Sequence, residues 1–186
     1  MNATERDRLR QMLLDRSMRF GEFVLSSGAT SNYYIDVRKT SLHPDGLRMI
    51  SRMFWEMLQA DQVTAIGGLT MGADAVAFGV AAIAATRGRE LRSFSVRKEV
   101  KGHGGGGRIA GALRAGDRVV ITEDAVTRGV SMLEAADVVR EEGHAEPVLL
   151  LPVVDRGGTV AAMAAERGLP LRALVTALDL GFPYEG

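Results

Sequence analysis

No cysteine occurs among the 186 residues. That absence excludes disulfides, thiolate nucleophiles and cysteine-ligated zinc, and it fits a reducing compartment. Neither charge is in excess, since 23 Lys and Arg balance 23 Asp and Glu, so no global basic field recruits nucleic acid or an anionic membrane. No apolar run reaches the ~18–20 residues of a membrane span without a charge or a glycine cluster. The opening Met-Asn-Ala-Thr-Glu-Arg-Asp-Arg lacks the apolar core of a signal peptide. The expectation is a cytoplasmic protein. Histidine is scarce: His43 precedes Pro44, His144 follows a helix end, and neither has a second ligand at metal spacing. The P-loop pattern is missing, and the match of Gly102 to Gly107 to G-x-G-x-x-G is trivial for a glycine run with no helix after it.

A chain of this length makes one domain, 1–186, able to bury a real core. Its first 40 residues predict an amphipathic helix over 3–18, a strand over 20–25, a turn cluster at 26–31 and a strand over 33–37. Pro44 opens a helix to about Gln59. Alternation then sets in. Strands are predicted at 63–66, 91–96, 118–122, 148–154 and 171–175, with Gly67-Gly68 a close turn. Helices are predicted at 72–86, from about Val130 to Glu142, and at 158–167. Such order implies an α/β fold: a central, mostly parallel sheet over about 60–180, flanked by helices, with ligands at the strands' carboxyl ends. The N-terminal 40 residues depart from the alternation and form a small hood.

Four stretches carry chemistry. In Val119-Val120-Ile121-Thr122-Glu123-Asp124-Ala125-Val126-Thr127-Arg128-Gly129-Val130-Ser131 an apolar strand ends on two acids, and a small-residue turn opens a helix. Unpaired N–H groups at that helix start, with the Thr127 and Ser131 hydroxyls, suit a phosphate. The acids suit ribose hydroxyls or a hydrated Mg²⁺. From spacing alone an ordinary crossover, with acids favouring the helix N-terminus, accounts for the same residues. Arg97-Lys98-Glu99-Val100-Lys101-Gly102-His103-Gly104, running on to Arg108, is a glycine-rich loop dense in cations, suited to a polyanion; the plain alternative is a solvated hairpin. Finally, Val154-Asp155-Arg156-Gly157-Gly158 and the 23–36 segment, with Ser26, Tyr33 and Tyr34, stand apart from both. Taken singly, Arg156 reads as a surface arginine in a turn, and one of the two tyrosines as core.

The acidic stretch resembles the phosphoribosyl-pyrophosphate (PRPP) signature of type I phosphoribosyltransferases. Arg128 departs from it, standing where a small residue is usual, and either points away from the phosphate or adds a cation to it. The loop, the hood segment and the Val-Asp-Arg segment are similar to those of orotate phosphoribosyltransferases, over roughly residues 20–180. The resemblance implies transfer of phosphoribosyl from PRPP to orotate in pyrimidine synthesis, with Mg²⁺ bridged by substrate and Glu123 and Asp124 acting on it only through water. It implies a homodimer whose 97–108 loop reaches the neighbouring site. Arg97, Lys98, Lys101 and His103 would take the pyrophosphate, with Lys101 and Asp124 catalytic, and residues 123–131 would take the rest of PRPP. Arg156, Thr127, Tyr34 and Ser26 would take orotate. Some relatives carry a lysine at the position of Ser26 and another near Gly72; here the turn Gly67 to Asp74 must offer backbone N–H groups instead. The rivals are a purine-base transferase and a PRPP-sensing regulator that binds nucleic acid. The even charge and the retained loop weigh against the regulator.

Overall fold

A computed structural model describes residues 3–24, 30–100 and 107–184. Helix α1 (Ala3–Arg16) leads into an antiparallel ribbon, β1 (Met18–Val24) and β2 (Thr30–Ile35), in which Phe20 pairs with Tyr33 and Arg19 with Tyr34. This is the hood. A short helix α2 (Arg38–Ser41), not foreseen from the sequence, precedes α3 (Pro44–Met57), which has its proline in the first turn. Then follow β3 (Ala65–Leu69), α4 (Asp74–Thr86), β4 (Arg92–Val96), β5 (Ile109–Gly111), β6 (Arg118–Val126), α5 (Val130–Glu141), β7 (Glu146–Asp155), α6 (Val160–Glu166), β8 (Val175–Thr176) and α7 (Ala177–Leu180). The six-stranded sheet runs β5-β4-β3-β6-β7-β8 and is parallel except for β5.

Strand alternation sorts the core into two layers. Val120, Leu149, Leu151 and Val153 face one side with Leu13, Ile50, Phe54 and Val80 from α1, α3 and α4. Val119, Ile121 and Leu150 face the other with Met132, Leu133, Ala136 and Val160 from α5 and α6. Among the described residues no helix is long and apolar enough to cross a membrane.

Four expectations need correction. Gly67 and Gly68 are not a turn but the middle of β3, because neighbouring backbone leaves no room for a side chain: a Cβ on Gly68 would lie 2.2 Å from the Thr122 carbonyl oxygen. Strand β6 does not end on its acids; it pairs with β7 as far as Val126, which the longer β7 allows. The loop after β4 returns as β5, so its ends are a hairpin on the sheet's edge. The last predicted strand shrinks to Val175–Thr176 with one bridge at Leu171, and Thr176 instead caps α7 in a reciprocal pair with Asp179.

Candidate active site

At the carboxyl end of β6 the pleat turns Thr122 into the sheet, where its hydroxyl donates to the Leu151 carbonyl at 2.9 Å. Glu123 and Asp124 border a cleft of about 630 Å³. Glu123 is only 9% exposed and lies over Gly72, where a Cβ would fall 1.7 Å from its Oε1. Both carboxylates take backbone N–H groups: Asp124 N–H donates to Glu123 Oε1 at 3.2 Å, and Ala125 N–H to Asp124 Oδ1 at 2.7 Å. Burial and then the neighbouring Asp124 charge push the Glu123 pKa up to about 8; burial likewise raises Asp124, against the pull of Arg38, whose Nε is 3.9 Å from Asp124 Oδ2. The doublet borders the cleft yet is largely buried, and that burial disfavours its ionised form. An arriving cation relieves it.

Beside the cleft, and sharing Glu123, Ala125 and Ser131 with it, a smaller pocket of about 180 Å³ is formed by residues 125–132. Gly129 has a left-handed backbone (φ 80°) and caps α5, whose first turn presents N–H groups without helical partners. Thr127, Arg128 and Ser131 line this pocket, which places Arg128 at the turn that opens α5. Thr127 lies here and not along the larger cleft. On the far wall the β3–α4 turn contributes Thr70, Met71 and Gly72. It is clipped to β4 through Asp74, which accepts from the Thr70 and Ser95 hydroxyls at 2.7 Å each.

Arg156 lies at the end of β7, and its N–H donates to the Val126 carbonyl at 2.8 Å. It is not the surface residue that a lone Asp-Arg-Gly turn suggests. It is 7% exposed, borders the cleft, and sets its guanidinium 5.2 Å from the Tyr33 ring centroid. Tyr33 is the buried member of the tyrosine pair. Tyr34, half-buried, borders the cleft and touches Phe23 with centroids 5.7 Å apart. Burial raises the carboxyl of Asp155, which accepts from Gly157 N–H at 2.9 Å.

Of the loop cations, Lys98 borders the cleft. Arg97 does not; its guanidinium donates to the Gly107 carbonyl at 3.4 Å. Arg108 ties the loop's base, donating through Nε to the Arg97 carbonyl at 2.7 Å and pairing with Glu134 on α5. Lys101, His103 and Ser26 lie outside the described residues. Asp36 and Arg38 also border the cleft and were missed. Their signal was present: Tyr34 and Asp36 share one face of an extended run, and Arg38 donates to Asp36 at 2.9 Å. Among the described residues no three His, Cys, Asp or Glu side chains converge on one point.

No protein-family model matches the chain. It is 40% identical over 181 residues to the orotate phosphoribosyltransferase of Corynebacterium glutamicum, covering 97% of this chain and 96% of that one. The crystal structure of a phosphoribosyltransferase from Corynebacterium diphtheriae matches with a TM-score of 0.83 at 35% identity, over 96% of this chain and 99% of the other. The Mycobacterium tuberculosis orotate phosphoribosyltransferase in complex with PRPP matches with a TM-score of 0.79 at 32% identity, again over 96% and 99%. The chain shares the type I phosphoribosyltransferase architecture with both solved structures.

Proposed function

This chain belongs to the orotate phosphoribosyltransferase family, and from that premise we propose how its cleft carries out the family's reaction. The enzyme transfers the phosphoribosyl group of PRPP to orotate, giving orotidine 5′-monophosphate and pyrophosphate. The ring nitrogen of orotate forms a bond to the anomeric carbon as the bond to the diphosphate oxygen breaks. Positive charge builds on the sugar and negative charge on the leaving group, so catalysis consists of positioning and charge placement.

The 5′-phosphate goes to the small pocket at the start of α5, with Arg128 adding a cation at its rim. The ribose hydroxyls go to Glu123 and Asp124. Tyr34 and Arg156 take the base, the guanidinium pairing with the orotate carboxylate in two-point geometry. We assign the diphosphate to Lys98, which borders the cleft, and, by resemblance to the family, to Lys101 and His103, while Arg97 holds the loop's base. The observation that carries this reading is the buried Arg156 in the same cleft as the acidic doublet. A purine offers no carboxylate to such a group.

Magnesium fits the donors present. Two adjacent carboxylates with raised pKa values gain from a nearby cation, yet they are too few to cage one, so substrate oxygens and water would complete its shell. When bound, the ion screens charge on the diphosphate and ribose oxygens. We further assign the enzyme to pyrimidine biosynthesis in the cytoplasm, as a homodimer. Mixing the protein with Mg²⁺, PRPP and either orotate or a purine, and following ultraviolet absorbance, tests the substrate: consumption of the purine and not of orotate refutes it. Lys101→Ala should lower turnover about 10²–10³-fold while PRPP still binds, and unchanged turnover removes the loop from the mechanism.

A further inference from the structure

The last described stretch of the chain has no part in the mechanism above, yet it packs against two pieces of the base site. After α7, Gly181 adopts a left-handed backbone (φ 90°) and turns the chain toward the hood. Phe182 then stacks on Tyr33, with centroids 4.5 Å apart and planes 29° apart, and meets Phe20 at 5.9 Å. Two residues on, the Tyr184 ring lies against Gly157, where an added Cβ would come within 2.4 Å of Tyr184. Tyr33 is also the ring over which the Arg156 guanidinium sits. Arg156, Tyr33 and Phe182 thus form one continuous series of contacts from the cleft to the C-terminal segment.

We propose that Phe182 is a positioning residue for orotate selectivity, holding Tyr33 so that the Arg156 guanidinium keeps the plane a carboxylate fork requires. The inference rests on the assignment of Arg156 to the orotate carboxylate. An arginine side chain has many rotamers, and two parallel N–H···O bonds tolerate little rotation. The Tyr33 face restrains that plane by cation–π contact, and Tyr33 in turn is held by its stacking on Phe182. Phe182 lines neither the cleft that holds the doublet nor the pocket at the start of α5, so its effect falls on one substrate only.

Steady-state kinetics on the full chain tests this with Phe182→Leu, Phe182→Tyr, Arg156→Lys and the Phe182→Leu/Arg156→Lys double variant. Phe182→Leu keeps apolar bulk and loses the ring; it should raise the orotate KM about five- to tenfold and leave the PRPP KM within about twofold. Phe182→Tyr, which keeps the ring, should stay near the parent value. In the Arg156→Lys background Phe182→Leu should add nothing, since its effect passes through the guanidinium. An unchanged orotate KM in Phe182→Leu, a parallel rise in both KM values, or full additivity with Arg156→Lys each overturns the role of Phe182. An Arg156→Lys variant with the parent orotate KM overturns the assignment of Arg156 itself, and the inference falls with it.

Discussion

A Cβ on Gly72 would fall where the Glu123 carboxylate sits, and that contact ties the β3–α4 turn to the strand that carries the acidic doublet. Gly72→Ala should therefore push the Glu123 carboxylate aside and weaken PRPP binding, measured by calorimetry, more than it lowers the melting temperature. The Glu123 pKa is raised from 4.5 to about 8 in the ligand-free fold, so between those values the folded protein holds a proton that the unfolded chain has lost. Its contribution to stability is fully present below about pH 4.5 and disappears as the pH rises through about 8. Glu123→Gln should flatten the melting-temperature profile across that window. Binding of Mg²⁺ with PRPP should release protons at neutral pH, read as a dependence of binding heat on the buffer's ionisation enthalpy; the absence of any release would mean that the doublet is already ionised. Arg156 and Tyr33 give the lesson of this scale. Either residue alone is unremarkable in sequence, and only their contact across two elements shows one supporting the other.

Among elements, β3 and the β4–β5 hairpin depend on close backbone approach. A Cβ on Gly68 meets the Thr122 carbonyl, which belongs to the strand carrying the acids. Gly68→Ala should cost about 1–3 kcal/mol, lowering Tm by roughly 3–10 °C, with lost activity since β6 must shift. A scan showing an unchanged Tm would refute the close approach. The hairpin is tied at its base by Arg108, which bonds the Arg97 carbonyl, pairs with Glu134, and gives its own N–H to Glu142 at 2.7 Å. Part-exposed pairs of this kind add at most about 1 kcal/mol to stability, so Arg108→Ala should barely move Tm. It should nonetheless lower kcat about tenfold by releasing the strand end that aims Lys98 into the cleft; a parent-like kcat would leave the knot without a role in turnover. Helices α3, α4 and α5 were legible because their apolar spacing serves the same faces that the core uses. The Gly-Gly of β3 was not, because glycine's local signature is a turn and its reason here lies in residues 27 and 54 positions further along.

For the whole molecule, the proposed homodimer, with each loop assigned to the neighbouring site, makes a prediction no single chain can satisfy. Lys101→Ala and Asp124→Asn proteins should each be nearly inactive. Mixed after reversible dissociation, they should regain about a quarter of parent activity, since half of the dimers are mixed and each of those has one intact site. No recovery would mean that the loop acts within its own subunit or that the enzyme is not a dimer. The hood belongs to this scale as well. Ribbon β1–β2, the Arg156 turn and the segment from Gly181 to Tyr184 are distant in sequence and meet only when the sheet is complete.

The sequence alone determined the alternating α/β order, the acidic doublet before a phosphate-suited helix start, and the cation-rich loop. Each of these is local: a periodicity or a spacing within some 15 residues, set by how strands and helices bury one face. Tertiary structure alone decided that β6 continues through its acids, that Arg156 is buried in the cleft with them, that Lys98 and not Arg97 borders that cleft, and that Phe182 lies behind Tyr33. Those facts depend on which distant segments share a volume. Burial, the raised carboxyl pKa values and two-point arginine geometry arise only once the sheet has brought those segments together.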